Sequence, residues 1–347
     1  MGTRRRRVSV IRSRSKPVQW DDLRMEFISN CTADAIANAA KALIDGHLVA
    51  FPTETVYGLG ADATNEKAVS RIYSAKGRPT GHPLIVHISS INKLDQWATD
   101  IPDYAIKLAR EFWPGPMTLI LPRTDLAKDF ITGGQNNVGL RVPAQPIALA
   151  LLNKFEELGG QGVAAPSANR FGAVSPTTAG AVEEELGDFF GKEDLVLDGG
   201  QCLVGIESTI IDCTGVFPRV LRPGAVSRSK IKSREFGAIN EEDFNKTVKA
   251  SGEFESHYSP RTKVTLNETI QKGDGLLALA DFETPYGVIR LGSPKTIEEF
   301  AYVLYDVFRM SDKLKLNKLN VHIKSDHPLA EALRDRIKKA SNLKKEI

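Results

Sequence analysis

Cysteine is scarce in this chain of 347 residues: Cys31, Cys202 and Cys213, with no C-x-x-C pair among them. An odd, scattered set argues against a disulfide framework and against a cysteine zinc site, and a reducing compartment is its simplest setting. No uninterrupted apolar run approaches the roughly 20 residues of a membrane helix. A soluble, cytoplasmic protein is therefore expected. Several signatures are also missing: a Walker A loop, the third glycine of a dinucleotide fingerprint after Gly58 and Gly60, H-E-x-x-H, an EF-hand loop and G-x-S-x-G. These absences remove the commonest phosphate-loop, dinucleotide, zinc-protease and serine-hydrolase readings. A large net charge is absent too: 46 Lys and Arg against 43 Asp and Glu leave +3, unlike a histone-like binder.

What charge asymmetry exists lies at the start. Arg4, Arg5, Arg6, Arg7, Arg12, Arg14 and Lys16 occupy a stretch without any acid, and the remainder is near neutral. Residues 1–24 read as a basic, flexible tail. It is a solvated arm, an organelle-targeting signal or a nucleic-acid contact, its weak apolar face disfavouring targeting. Met25 leaves open an upstream start for the tail.

The body has ample apolar material for a core, 41% of residues, and its length favours two domains. From residue 25 to 226, short apolar strands alternate with amphipathic helices. Strands are expected at Leu48–Phe51, Leu84–Ile88, Met117–Leu121, Val138–Val142, Gly162–Ala165, Leu195–Leu197, Thr209–Asp212 and Arg219–Leu221. Helices are expected at Ala33–Asp45, Glu66–Ala75, Tyr104–Phe112, Pro146–Phe155 and Thr177–Leu186. The alternation implies an α/β fold with a mixed sheet. Residues 227–262 lose this periodicity and read as a linker or functional loop. Strands at Gly275–Ala280, Gly287–Leu291 and Leu319–Ile323, with helices at Ile297–Lys313 and Leu329–Ala340, then predict a smaller α/β domain over 263–347.

Polar residues gather in the turns after strands, where α/β sheets bind ligands. Pro52-Thr53-Glu54-Thr55-Val56-Tyr57-Gly58-Leu59-Gly60 follows the first strand, its glycines open to a ligand or simply to a turn. Lys76-Gly77-Arg78-Pro79 ends a helix, and cations there suit the macrodipole. The same pair also suits a phosphate clamp, with His82 and His87 close behind. Pro166-Ser167-Ala168-Asn169 ends another strand, and Ser175 before Pro176 reads as a helix N-cap that can double as an anion site. Asn137 and Arg141 on one strand join Glu207-Ser208-Thr209 and Arg222. A half-buried strand arginine needs an anion, either a structural carboxylate or a substrate's carboxylate or phosphate. These residues describe an enzyme with an anion site of Arg, Lys and hydroxyls, and they name no substrate.

Taken together and in order, the clusters closely resemble the threonylcarbamoyl-AMP synthase family, with its YrdC-like catalytic domain. The matching segments are P-T-E-T-V-Y-G-L-G at 52–60, K-G-R-P at 76–79, P-L-I-V-H-I at 83–88, W-P-G-P-M-T at 113–118 and L-R-V-P at 140–143. P-S-A-N at 166–169, S-P-T at 175–177, E-S-T-I at 207–210 and R-P-G at 222–224 complete the set. His257-Tyr258-Ser259-Pro260 looks like the linker segment of the long two-domain form.

The resemblance implies an open, twisted mixed-sheet YrdC-like domain with a large concave cleft, followed by a smaller Rossmann-like α/β domain. It implies catalytic roles for Lys76, Arg78, Ser167 and Asn169. Around L-threonine it implies Thr55, His87, Arg141, Ala165 and Ser208. For ATP it implies Arg78, His82, Asn137, Ser167, Ser175, Arg222 and Tyr258. The implied reaction joins L-threonine, bicarbonate or CO2 and ATP, with Mg2+ on the triphosphate, into threonylcarbamoyl-AMP and pyrophosphate. A downstream tRNA threonylcarbamoyltransferase would receive the product, with at most weak tRNA contact by this chain and none with a membrane. Two other readings compete. An RNA-binding module would use the basic tail, but the near-neutral body lacks the usual basic footprint. A carbamoyl-adenylate domain of hydrogenase maturation would bring cysteine zinc motifs and further domains that this chain lacks.

Overall fold

The computed structural model describes residues 31–231, 248 and 258–341. The basic tail, His257 and most of the linker lie outside the described residues.

Residues 31–231 build a nine-stranded mixed sheet from β1 (Val49–Phe51), β2 (Gly58–Asp62), β3 (Ile85–His87), β4 (Met117–Pro122), β5 (Asn137–Arg141), β6 (Val163–Ala164), β7 (Leu195–Val196), β8 (Thr209–Asp212) and β9 (Arg219–Arg222), in spatial order β7-β1-β2-β6-β3-β5-β4-β8-β9. The principal helices are α1 (Ala33–Ile44), α2 (Glu66–Lys76), α3 (Asp103–Phe112), α4 (Pro146–Glu157) and α5 (Ala179–Leu186). Thr32 caps α1 by accepting from the Ala35 N–H, and Asn65 caps α2 through Ala68.

Strand alternation decides where the site can be. Ala50, Val86, Leu119, Leu140 and Ala164 point to the face packed by Val69 and Ile72 of α2 and Leu108 of α3. On the opposite face, Val49, Phe51 and Val163 are covered by α1 and α4 through Leu43, Leu151 and Phe155. That cover reaches only the β1–β6 half. Beyond it, register sets His87 beside Arg141, and Ile85 and Ile120 beside Gly139, on the same face. Ile120 and Ile210 form a small apolar patch there, on which Val248 packs.

Two expectations needed correction in this domain. The glycine-rich segment after Tyr57 is not a turn: Gly58 to Asp62 form β2, antiparallel to β1. A Cβ at Gly60 would lie 2.9 Å from Phe51 and Val163 side-chain atoms, so this glycine permits strand packing and not ligand approach. Ser175 is not an N-cap either. Helix α5 starts at Ala179, and Thr178 caps it by accepting from the Ala181 N–H.

A second sheet holds β10 (Lys263–Leu266), β11 (Gly275–Ala278), β12 (Ile289–Gly292) and β13 (Lys318–His322), all parallel in the order β10-β13-β11-β12. Helices α6 (Ile297–Lys313) and α7 (Ala330–Ser341) pack on it through Phe300, Leu304, Phe308, Leu333 and Ile337. Loops rather than helices link β10 to β11 and β11 to β12, so α6 makes the one helical crossover between strands of this sheet among the described residues. The same core takes in Val56, Val174 and Ile206 of the first domain. Contact is close: Gly205 has φ 77°, and a Cβ on it would fall 2.4 Å from the Ala301 carbonyl oxygen of α6. No helix among the described residues is long and apolar enough to cross a membrane.

Candidate active site

The loop between β1 and β2 is organised by one hydroxyl. Thr53 donates to the Val56 carbonyl at 2.6 Å, while its oxygen accepts from the Thr55 and Val56 N–H groups at 3.2 Å. Thr55 shares a 2.8 Å hydroxyl contact with it. Glu54, 2% exposed, turns inward and accepts from Arg141 Nη2 at 2.6 Å and from the Ala144 N–H at 3.0 Å. The strand arginine therefore has a structural carboxylate partner. Its Nε donates to the Gly115 carbonyl at 3.3 Å, leaving Nη1 as the further donor group.

Helix α2 stops at Gly77, in the left-handed region at φ 61°, so that Lys76 and Arg78 diverge. Lys76 does not face the cavity. Its ammonium is buried and donates to the Ser167 and Asn169 carbonyls at 2.6 and 2.5 Å, and burial, with Arg78 nearby, lowers its pKa strongly. It ties the helix end to the 166–169 turn. Arg78 does face the cavity and donates to the Pro83 carbonyl at 2.9 Å. Burial brings its pKa down to about 10. Asn169 donates to the Arg170 and Ala173 carbonyls at 2.8 Å, and its buried Oδ1 finds no hydrogen-bond partner.

On the far side Arg222, the last residue of β9, donates to the Ser208 carbonyl through Nε at 3.1 Å and Nη2 at 2.9 Å. The Ser208 hydroxyl meets Thr118 at 2.8 Å. Glu207 beside it accepts from Ser175 at 2.6 Å, from Tyr305 of α6 at 2.9 Å and from Arg336 Nε of α7 at 2.8 Å. Burial opposes its ionisation. Arg336 and Arg222, with the hydrogen bonds from Ser175 and Arg336, outweigh that and hold its carboxyl at about 2.

These elements line one partly open pocket. Of the residues expected around an amino acid, Thr55, His87, Arg141, Ala165 and Ser208 all line it. Of the wider set, Arg78, Ser167, Arg222 and Tyr258 line it as well. Lys76, His82, Asn137, Asn169 and Ser175 do not. Asn137 opens β5 while Arg141 ends it, about 13 Å away at ~3.3 Å per residue. His82 packs its ring near Phe171, 5.4 Å between centroids. Ser175 is fully buried against Glu207.

The pocket wall combines three guanidiniums with hydroxyls and one neutral imidazole. Burial first, and the Arg141 charge second, push His87 down to about 3, so at neutral pH it carries no charge. Such a wall receives anions without supplying a covalent nucleophile. Sequence reasoning missed Glu54 as the partner of Arg141, and missed Tyr305 and Arg336 altogether. Arg336 had a signal: with Leu333, Ile337 and Ala340 it falls on the apolar stripe of α7. Among the described residues no group of three or more His, Cys, Asp or Glu side chains is placed to hold a metal.

Comparison with known proteins bears on the family and the fold. Residues 41–224 match the family described as "Telomere recombination" (Sua5_yciO_yrdC), and residues 221–342 match "Threonylcarbamoyl-AMP synthase, C-terminal domain". A threonylcarbamoyl-AMP synthase of Pyrococcus abyssi is 40% identical over 323 residues, spanning 87% of this chain and 93% of that protein. One of Bacillus subtilis is 36% identical over 328 residues, spanning 88% and 92%. The crystal structure of P. abyssi Sua5 complexed with L-threonine superposes with a TM-score of 0.79 at 35% identity, covering 89% of this chain and 95% of that one. Both domains and their order are thus shared, and the chain belongs to the threonylcarbamoyl-AMP synthase family of nucleotidyltransferases.

Proposed function

We propose that the chain makes threonylcarbamoyl-AMP and pyrophosphate from L-threonine, bicarbonate-derived CO2 and ATP. The observation that carries this is the convergence of Arg78, Arg141 and Arg222 with Thr55, Ser167 and Ser208 on one pocket. The threonine-bound relative supports the choice of amino acid. Arg141, held by Glu54, presents its remaining donors to the threonine carboxylate, and Thr55 and Ser208 bond its polar groups. Neutral His87 and Ala165 complete that end without adding charge.

Arg78, Ser167 and Arg222 face the triphosphate. The threonine amine takes up CO2 to give a carbamate, whose oxygen attacks the α-phosphorus as pyrophosphate leaves. One anion attacks another here, so the site must neutralise and align them more than bond to either. Lys76 and Asn169 act one step removed: Lys76 fixes the turn that carries Ser167. Tyr258 shields the mixed anhydride from water. His82, Asn137 and Ser175 hold no place on this pocket wall, and any contact they make with ATP lies beyond it.

The pocket fits Mg2+ that arrives with the nucleotide rather than a resident ion. Its lining carboxylate, Glu207, already accepts hydrogen bonds on both oxygens, which leaves phosphates and water as the ligands. Bound so, the ion would supply charge neutralisation at the triphosphate. The product would pass to a tRNA threonylcarbamoyltransferase for N6-threonylcarbamoyladenosine formation next to the anticodon. Pyrophosphate release from ATP that requires both threonine and bicarbonate, with the adenylate identified by mass spectrometry, tests the proposal. ATP turnover indifferent to threonine refutes it.

A further inference from the structure

One pocket residue is held against its own backbone preference. Tyr258 has φ 61°, in the left-handed region that a non-glycine residue rarely adopts. It is nevertheless 1% exposed. Its ring stacks on Tyr305 of α6 at 5.8 Å with planes 22° apart, and the Arg336 guanidinium of α7 lies 5.2 Å from the ring centre. The chain after it is pinned on both sides. Ser259 N–H donates to the Gly172 carbonyl at 3.0 Å, and the Arg261 and Thr262 N–H groups reach the Asp312 carboxylate at 2.9 and 2.7 Å.

The two side chains that grip this ring also grip Glu207, another residue of the pocket lining. Tyr305 and Arg336 both donate to its Oε2. Neither lines the pocket, yet each touches two residues that do. From Glu207 the connection continues through Ser208 to the Arg222 guanidinium.

Stability alone does not explain this arrangement. Burying an ion pair desolvates both partners, and apolar replacements are often as stable or more so. Arg336 is fully buried, and its Nη2 has no hydrogen-bond partner. Val56, Val174 and Ile206 already join the two domains through apolar contact. What the pair adds is a single geometry.

We propose that Arg336 and Tyr305 are positioning residues for the nucleotidyl transfer, holding Tyr258 over the pocket and Glu207 at its edge. The catalytic part of this claim rests on the proposed function. The second domain thereby serves as the template on which the pocket's last wall is set.

The test uses the full chain carrying Arg336→Met or Tyr305→Phe, each alone and combined with Tyr258→Ala. Arg336→Met leaves the buried Glu207 carboxylate without its ion-pair partner and should melt below wild type; assayed below that melting point, it should lose about tenfold in kcat/KM for ATP at saturating threonine and bicarbonate. In the Tyr258→Ala background the further loss should be under about twofold, because contacting residues that act together are not additive. Tyr305→Phe removes one oxygen and should move the same way by a few fold, and it decides the matter if Arg336→Met does not fold. Equal losses in both backgrounds, or a folded Arg336→Met with wild-type kcat/KM, overturn the proposal. A second arm is independent of activity: Tyr258→Trp as a reporter, read by acrylamide quenching against the other tryptophans. Arg336→Met should raise quenching at position 258 several-fold. If the wild type released no threonine-dependent pyrophosphate, the functional reading would fail. The quenching arm would still decide the positioning claim, and unchanged protection would sink it.

Discussion

His87 gives the sharpest quantitative expectation. It is 3% exposed, at the end of β3, with its Nδ1 lacking any hydrogen-bond partner. Burial and the Arg141 charge hold its pKa at about 3 in the folded chain, against 6.5 when free. The folded state therefore refuses a proton that the unfolded state accepts. Its contribution to stability is complete above pH 6.5, and it declines as pH falls until about 3. The slope is about 1.4 kcal/mol per pH unit and the whole interval is worth on the order of 5 kcal/mol. Urea unfolding at pH 7.0, 6.0 and 5.0, followed by tryptophan fluorescence, reads this directly, because Trp97 and Trp113 both lie in the first domain's core. His87→Gln keeps similar volume and removes the titration. Other titrating groups act alike in both proteins, so the difference in slope isolates His87. Wild type should lose stability faster than His87→Gln below pH 6.5. Parallel slopes would refute the assignment of a buried neutral imidazole.

Four further outcomes follow from named contacts. Arg141→Lys loses the planar fork shared between Glu54 and substrate, and it should raise the KM for threonine by about 10- to 100-fold; an unchanged KM refutes the carboxylate assignment. Tyr258→Ala should shorten the lifetime of the adenylate and raise the ratio of AMP to adenylate on chromatography; a wild-type ratio counts against shielding. Lys76→Met strips two buried carbonyls of their donor and should cost about 1–3 kcal/mol in urea unfolding, so an unmoved midpoint refutes the tether. Glu207, with a folded pKa of about 2, contributes stability that is present above the unfolded carboxylate value and is lost as pH falls through about 2. Wild type should thus lose stability between about pH 4.5 and 2, relative to Glu207→Gln/Arg336→Met, and equal acid profiles would contradict the ion pair.

Much of the fold was legible because alternation and helical period are local properties. The strands at Thr209–Asp212 and Met117–Leu121 and the helix at Ile297–Lys313 stand where apolar spacing puts them. Gly58–Asp62 escaped because G-L-G-A-D has little intrinsic strand preference. It becomes a strand through pairing with β1 and β6, a tertiary cause. Ser175-Pro176 carried a good capping signal that lost to a longer-range demand, since its hydroxyl serves Glu207, 32 residues away. Turn motifs located the pocket, but residue type could not tell which side chains face it. Lys76 and Arg78 are two residues apart, yet the left-handed Gly77 sends one into carbonyls and the other to the cavity.

That divergence bears on how a site with this many cations is held together. Arg78, Arg141 and Arg222 each donate to backbone carbonyls through part of the guanidinium fork. Carbonyls orient a cation without cancelling its charge, whereas a carboxylate does both. Among the described residues, Glu54 is committed to Arg141, and Glu207 chiefly to Arg336 outside the cavity. On the proposed function, Arg78 and Arg222 are the arginines that meet the phosphates. Their orientation is fixed in advance, which is the condition for electrostatic stabilisation of a transition state rather than mere binding. On the proposed function, Glu207 released toward Arg222 would neutralise the end of the pocket that meets phosphates. The Glu207–Arg336 pair opposes that, so loss of Arg336 should weaken ATP use as well as the fold.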